Sequence, residues 1–304
     1  MPDYSPLKDR FGEYCLFQEP ASNFTTYRAG GPAEVLVKPA DAAELLWLAA
    51  WCRASRAPLL VLGRGSNVLV SDRGLPGVTA LTERLAGIEL SGGAVTAQAG
   101  APWDEVARLS AENGLAGFEK TSGIPGSVGG ALRMNAGAFG QETFDRLVSL
   151  EAFGAAGEPV KLLKKDLSFG YRRVEGLDGL ILLSARFEFE KAEPATLIQD
   201  RSCVLAARAV KQPLDFPSAG SVFKRPPGDY ASRLIDAAGL KGRRIGGAEV
   251  SAKHAGFIIN AGGATAADIY ALMGEVRAAV KEKTGVVLEL EQILLGEFQP
   301  MAVP

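Results

Sequence analysis

TSGIPGSVGGALRMNAGAFG, residues 121–140, is the stretch on which the fold turns. Gly123, Gly126, Gly129, Gly130, Gly137 and Gly140 fall within it, and Arg133 is its one charged residue. Flexible glycine linkers are usually Ser-rich and polar. Here Ile124, Val128, Leu132, Met134 and Phe139 are threaded between the glycines. That pattern reads as backbone lying close against a flat ligand, with amides donating hydrogen bonds, rather than as a mobile loop. A planar cofactor fits it.

Working outward from this segment, the residues before it predict a helix from about Trp103 to Asn113, stopped by Gly114. Ahead of that helix, GIELSGGAVTAQAGA (87–101) reads as two alternating runs turning at Gly92-Gly93. Further upstream AEVLVKPA is a strand, and Asp41 with Glu44 forms a capping box for a helix whose stripe is Leu45, Leu48, Ala49 and Cys52. PLLVLG and NVLVSD are short β runs separated by Gly63-Arg64-Gly65-Ser66-Asn67. This loop can be a tight β-turn or a cradle for a pyrophosphate, and the local pattern leaves both open. It is not a dinucleotide-binding fingerprint, because the third glycine is missing and a strand follows where that motif has a helix.

Downstream, LVSLEAFGAAGEPVKLL reads as a second hairpin and GLILLSARFEFE as a strand. A helix spans about Pro194 to Lys211, and DYASRLIDAAGLKG and TAADIYALMGEVRAAVKEKTG are helical. Thr265 with Asp268 caps the latter and Gly285 ends it; VVLELEQILLGEF then reads as a closing strand. The organisation is α+β with no internal repeat.

Charged residues make up 22% of the chain and net charge is −2, with both signs interspersed, so no footprint for nucleic acid or an anionic membrane appears. Cys15, Cys52 and Cys203 are widely spaced, without a CxxC pair, which argues against a disulfide framework or a zinc site. No run approaches the ~20 apolar residues of a membrane span, and the N-terminus lacks a basic start with an apolar core, so the expectation is a cytoplasmic protein. No amphipathic stretch is left without a core to cover, which reads as a monomer, and one histidine with no cysteine cluster reads as no metal site. His254 is the sole histidine, and no triad motif surrounds it.

VLGRGSNVLVSD, SGIPGSVGGALRMNAGAFG, FGYR, AGSVFKRP and LELE occur in the order and rough spacing of the UDP-N-acetylenolpyruvoylglucosamine reductases (UDP-N-acetylmuramate dehydrogenases), and the chain resembles that family from Thr25 to Phe298. The resemblance implies an α+β fold: a two-subdomain FAD-binding module of the vanillyl-alcohol-oxidase/PCMH type plus a C-terminal α+β substrate-binding domain. It implies a first FAD subdomain over 1–80, completed by a C-terminal strand in 285–304, a second over 81–210, and the substrate domain over 211–284. The implied function is NADPH-dependent reduction of UDP-N-acetylglucosamine enolpyruvate to UDP-N-acetylmuramate via FAD, in peptidoglycan precursor synthesis and hence cell-wall biogenesis.

The same resemblance assigns roles. Flavin N5 gives hydride to the enolpyruvyl double bond, Ser221 gives the proton, and Arg172 and Glu291 stabilise the enolate. Without the family, Ser221 beside Gly220 would read as a turn; a guanidinium fork suits a carboxylate at Arg172. Glu289 shares a face with Glu291 if the segment is a strand. Cofactor contacts fall on Gly63, Arg64, Gly65, Ser66, Asn67, Ser122, Gly123, Ile124, Pro125, Gly126, Gly129, Gly130, Asn135 and Gly137. Substrate contacts fall on Tyr171, Lys224 and Arg225. The chain departs from the family at Val174, where serine is usual, and at Arg225, where asparagine is common. It lacks the insertion between Leu180 and Ser221 that carries a tyrosine in longer members. A flavin oxidase of the same superfamily, or a silent flavin- or nucleotide-binding protein, are the competing readings; neither has a reason to combine Ser221, Arg172 and Glu291.

Overall fold

The computed structural model describes residues 2–301. The chain folds into two compact units: Met1–Leu16, Val35–Arg64 and Gly77–Arg208 form the first, and Phe17–Glu34, Gly65–Pro76 and Ala209–Pro304 the second.

In the first unit, five antiparallel strands run in the order Pro159–Leu163, Leu147–Phe153, Ile181–Glu188, Ala94–Gln98, Ile88–Ser91. Both expected hairpins are there. Ser91 pairs with Ala94 across Gly92 and Gly93 at φ 59° and 90°, the left-handed values a two-residue turn of this twist needs. Inward-facing Val95, Ala97, Leu150, Ala185 and Phe187 meet the helices Trp103–Glu112 and Val128–Met134. Trp103, Phe118 and Phe187 are fully buried, with Phe118 4.6 Å from Trp103 and 5.1 Å from Phe187 between ring centres. Each such aromatic pair contributes about 0.5–1.5 kcal/mol beyond its buried area.

Another sheet, in the order Cys15–Pro20, Pro32–Val37, Leu75–Leu81, Leu59–Leu62, contributes Val35, Val37, Val78 and Ala80 to a separate core with Leu45, Leu48 and Cys52 of the helix Ala42–Ser55. Asp41 caps that helix by accepting from Glu44 N at 2.8 Å, while Glu44 reaches back to Ala40 N at 2.7 Å rather than to Asp41.

The second unit is built around Ala266–Thr284, whose Thr265–Asp268 capping box and left-handed Gly285 are as the sequence implies. Asp72 adds a second cap, accepting from Ala266 N and Ala267 N at 2.8 Å each. Ile269, Leu272, Met273 and Val276 pack on Leu234, Ile235, Val250 and Ile258.

The closing strand is shorter than expected. Only Ile293–Leu295 is a strand, parallel to Val68–Val70, while Leu290 makes an isolated bridge with Phe223. The chain changes pairing partner at Gln292, whose side chain turns inward, and this breaks the run. The glycine-rich stretch, read from sequence as backbone lying close against a flat ligand and given no element of its own, contains the helix Val128–Met134. Among the described residues no helix is long and apolar enough to cross a membrane.

Candidate active site

The helix inside the glycine-rich stretch begins at Ser127, whose Oγ accepts from Gly130 N at 3.4 Å. Val128 N and Gly129 N donate to Ala101 O and Ala99 O at 2.9 and 2.8 Å, so its first amides are already used within the protein. A Cβ at Gly129 would lie 3.2 Å from Ala99, and at Gly137 2.4 Å from Gln141 O. These glycines are required by the protein's own packing. Just upstream, Ser122 Oγ donates to Glu119 O at 2.6 Å and Gly123 N donates to Asp104 Oδ1 at 2.6 Å. Asp104 is gripped bidentately by Arg201, at 2.6 and 2.8 Å, and these hydrogen bonds hold its carboxyl below the usual range.

The loop 63–67 contrasts with this. Two of its carbonyls are tied: Gly65 O accepts from Thr26 N at 3.2 Å and Asn67 O from Ile293 N at 2.9 Å. Asn67 Nδ2 donates to Glu291 O at 3.1 Å. Among the described residues, none of its five amides donates to a protein acceptor. Gly65 sits at φ 59°, where a Cβ would come within 2.4 Å of Phe24 O, and a Cβ on Gly63 would come within 2.1 Å of Ser127 Oγ. Tied carbonyls with uncommitted amides fit the diphosphate of FAD, so the residues present suit that group.

FGYRRV folds as a miniature hairpin in which Phe169 pairs with Val174 and Gly170 with Arg173, leaving Tyr171 and Arg172 at the turn. Arg172 takes φ 54°, and its two terminal nitrogens donate to Asn135 O at 3.4 Å and Gly137 O at 3.0 Å. Two tethers fix the plane of the guanidinium. Its carbon lies 5.0 Å from the centre of the half-exposed Tyr171 ring. Asn135 is fully buried at φ 40°, its Nδ2 donating to Glu142 Oε2 and Gly170 O at 2.6 and 3.2 Å and its Oδ1 accepting from Phe144 N at 3.1 Å. Its side chain is therefore committed within the protein. Val174 packs on the core beneath the hairpin.

In the second unit Ser221 follows Gly220, at φ 74°, and bridges to Phe257. Glu291 N donates to Val222 O at 2.8 Å, and Lys224 N to Glu289 O at 2.8 Å. Ser221 and Glu291 are thus brought onto neighbouring chain segments. Glu289, one step along, is exposed and pairs with Lys224 at 3.5 Å. Arg225 stacks over the Tyr230 ring at 4.6 Å. His254 lies in the turn before Phe257, its Nδ1 accepting from Gly256 N at 3.1 Å; burial pushes its pKa down, with Lys241 adding to the effect. Arg172 belongs to the first unit, and Ser221 and Glu291 to the second.

Arg208 went unremarked in the sequence. It is 8% exposed, 5.8 Å from the Phe139 ring centre, and its Cδ would lie 2.9 Å from a Cβ on Gly123. The signal was present: Leu197, Arg201, Val204 and Arg208 share one helical stripe, so two arginines fall on the face that carries the buried apolar residues. The pairing of Asp104 with Arg201 left no comparable trace, because the two meet across 97 residues.

Residues 33–163 match the FAD binding domain family, and residues 212–295 match the UDP-N-acetylenolpyruvoylglucosamine reductase, C-terminal domain family. The UDP-N-acetylenolpyruvoylglucosamine reductase of Lactococcus lactis subsp. cremoris (strain SK11) is 45% identical over 282 residues, 92% of this chain and 94% of that protein. The protein of the same name from Pediococcus pentosaceus is 40% identical over 293 residues, 96% of this chain and 98% of its own. The crystal structure of UDP-N-acetylenolpyruvylglucosamine reductase from Thermus caldophilus superposes with a TM-score of 0.80 at 35% identity, covering 93% of this chain and 98% of that one. With matches of this identity and extent, the chain belongs to the UDP-N-acetylenolpyruvoylglucosamine reductase family and is an FAD-dependent oxidoreductase with the α+β flavin-binding fold expected from its sequence.

Proposed function

We propose that the chain reduces UDP-N-acetylglucosamine enolpyruvate to UDP-N-acetylmuramate with NADPH as co-substrate, as a cytoplasmic monomer, in peptidoglycan precursor synthesis. The observation that carries this reading is the pairing of the Ser221 segment with the Glu291 segment through Val222 O and Glu291 N at 2.8 Å. FAD would be held by the amides of 63–67 and by the segment 122–137, and when bound it would supply the two-electron hydride chemistry that links the nicotinamide to the enolpyruvyl double bond.

Ser221 Oγ gives its proton to the carbon bearing the carboxylate and recovers one from solvent, so hydride and proton add across the double bond. A serine hydroxyl serves here because an enolate-like carbanion is strongly basic. Arg172, its plane set by Asn135 O and Gly137 O, places a rigid fork on the carboxylate as charge develops, and Glu291 assists at the protonated carbon. Lys224 and Arg225 bind the diphosphate and Tyr171 lies along the substrate. Residues 1–80 with 285–304 and residues 81–210 serve the flavin, and 211–284 the nucleotide sugar; within the first set, residues 1 and 302–304 lie outside the described residues.

The test is anaerobic stopped-flow absorbance with Ser221→Ala. Flavin bleaching by NADPH should keep its wild-type rate, while recolouring by UDP-N-acetylglucosamine enolpyruvate should slow roughly 10²- to 10⁴-fold, the range of general acid catalysis. Equal slowing of both half-reactions would remove Ser221 from the proton-donor role.

A further inference from the structure

The backbone that presents Ser221 is held by one buried side chain. Gln292, 4% exposed, donates from Nε2 to Ala219 O at 3.0 Å and to Gly220 O at 3.2 Å, the two carbonyls immediately before Ser221. Its Oε1 accepts from the hydroxyl of Tyr27 at 3.0 Å, and Tyr27 is fully buried. The amide orientation follows from chemistry: carbonyls only accept, so Nε2 must face them, and the phenol must donate to Oε1. Burial pushes the Tyr27 phenol far up, which keeps that donor protonated at any working pH.

Tyr27 is anchored in turn. Asn260 Nδ2 donates to Tyr27 O at 3.1 Å, and Asn260 Oδ1 accepts from Gly262 N and Ala264 N at 3.1 Å each. Gly220 needs this hold: it sits at φ 74° with no atom within 4 Å of where a Cβ would be, so packing does not pin it. Gln292 also follows Glu291 directly, and Glu291 N and Gln292 N both donate to Val222 O, at 2.8 and 3.5 Å. One residue therefore ties the chain before Ser221 to the chain carrying Glu291.

We propose that Gln292, locked by Tyr27, is a positioning residue that sets the Ser221 hydroxyl for proton transfer. The inference rests on Ser221 acting as the proton donor. Proton transfer is sensitive to displacement, and an error of about 1 Å at a reacting group can cost on the order of 10²-fold in rate. A carboxamide is the one neutral side chain of this length that donates twice and accepts once, so neither Met nor Glu can replace it here.

The experiment compares Tyr27→Phe, Gln292→Met and Ser221→Ala in the FAD-loaded enzyme. Tyr27→Phe and Gln292→Met should leave bleaching by NADPH within about twofold of wild type, while recolouring by the enolpyruvyl substrate falls about 3- to 10-fold and 10- to 100-fold respectively. Tyr27→Phe, which removes one hydroxyl, covers the case in which Gln292→Met does not fold. In the Ser221→Ala background Tyr27→Phe should slow recolouring no further, because two parts of one device are not additive. Amide exchange over 219–222 should quicken in Tyr27→Phe while that of 266–284 does not. If Ser221→Ala is selective for recolouring but the other two lower only the melting temperature, or slow both half-reactions alike, Gln292 is merely structural and the proposal is overturned. If Ser221→Ala is itself unselective, the proton-donor reading falls and takes the positioning role with it.

Discussion

Gly63→Ala asks whether the flavin-loop glycine is kept for the cofactor or for the protein. The added methyl would sit 2.1 Å from Ser127 Oγ, far inside any real contact, and 3.2 Å from Ser127 Cβ, a tight one. Ser127 must swing away, and with it goes the cap that accepts from Gly130 N. Losing an N-cap serine costs about 1 kcal/mol, and forcing a methyl into a packed site costs about 1–3 kcal/mol. The sum is about 2–4 kcal/mol, and it acts on the apoprotein.

Ser127→Gly removes both clashing atoms and, as glycine is a tolerable cap, should itself cost a few tenths of a kcal/mol. The double variant Gly63→Ala/Ser127→Gly should therefore return to within about 1 kcal/mol of wild type. The assay is urea unfolding of FAD-free protein, read by the change in midpoint at constant slope. Wild-type midpoint in apo Gly63→Ala, with loss only of FAD binding, would refute this account and place the need for glycine in the cofactor. So would failure of Ser127→Gly to restore the midpoint.

Arg172→Lys should lower kcat roughly 10- to 100-fold while moving KM only a few-fold, because an ammonium cannot hold two carbonyl tethers and a carboxylate in one plane; steady-state kinetics decides it. His254 is kept neutral in the fold by burial, so the unfolded chain binds the extra proton and stability should fall as pH drops below the ordinary value of 6.5. Melting temperatures between about pH 7.5 and 5.5 should decline more steeply for wild type than for His254→Gln, and parallel curves would count against it.

Local chemistry made much of the fold legible. Asp41, Thr265 and Asp268 announce helix starts, Gly285 a helix stop and Gly92-Gly93 a hairpin, since caps and turns are satisfied by residues a few positions apart. Locality did not reach Val128–Met134, to which the sequence reading gave no helix. Ser127 and the carbonyls of Ala99 and Ala101 hold it instead, and the latter come from nearly thirty residues away.

For the site, the motifs alone named Ser221, Arg172, Glu291 and the loop 63–67. Only the tertiary structure decided how they are held. The alternation in LELE put Glu289 and Glu291 on one footing, but the Glu289 side chain is exposed and paired with Lys224, whereas Glu291 is half-buried on the segment joined to Val222. Gln292 reads in the sequence as one more polar residue after a glutamate; its hold on Ala219 and Gly220, and its support from Tyr27, span 73, 72 and 265 residues. What the sequence by itself determined is the chemistry available and the elements that local capping, turns and periodicity dictate. Which amides stay uncommitted at 63–67, which carbonyls steady Arg172 and which carboxamide steadies Ser221 depend on hydrogen bonds between distant segments, and those exist only once the cores have closed.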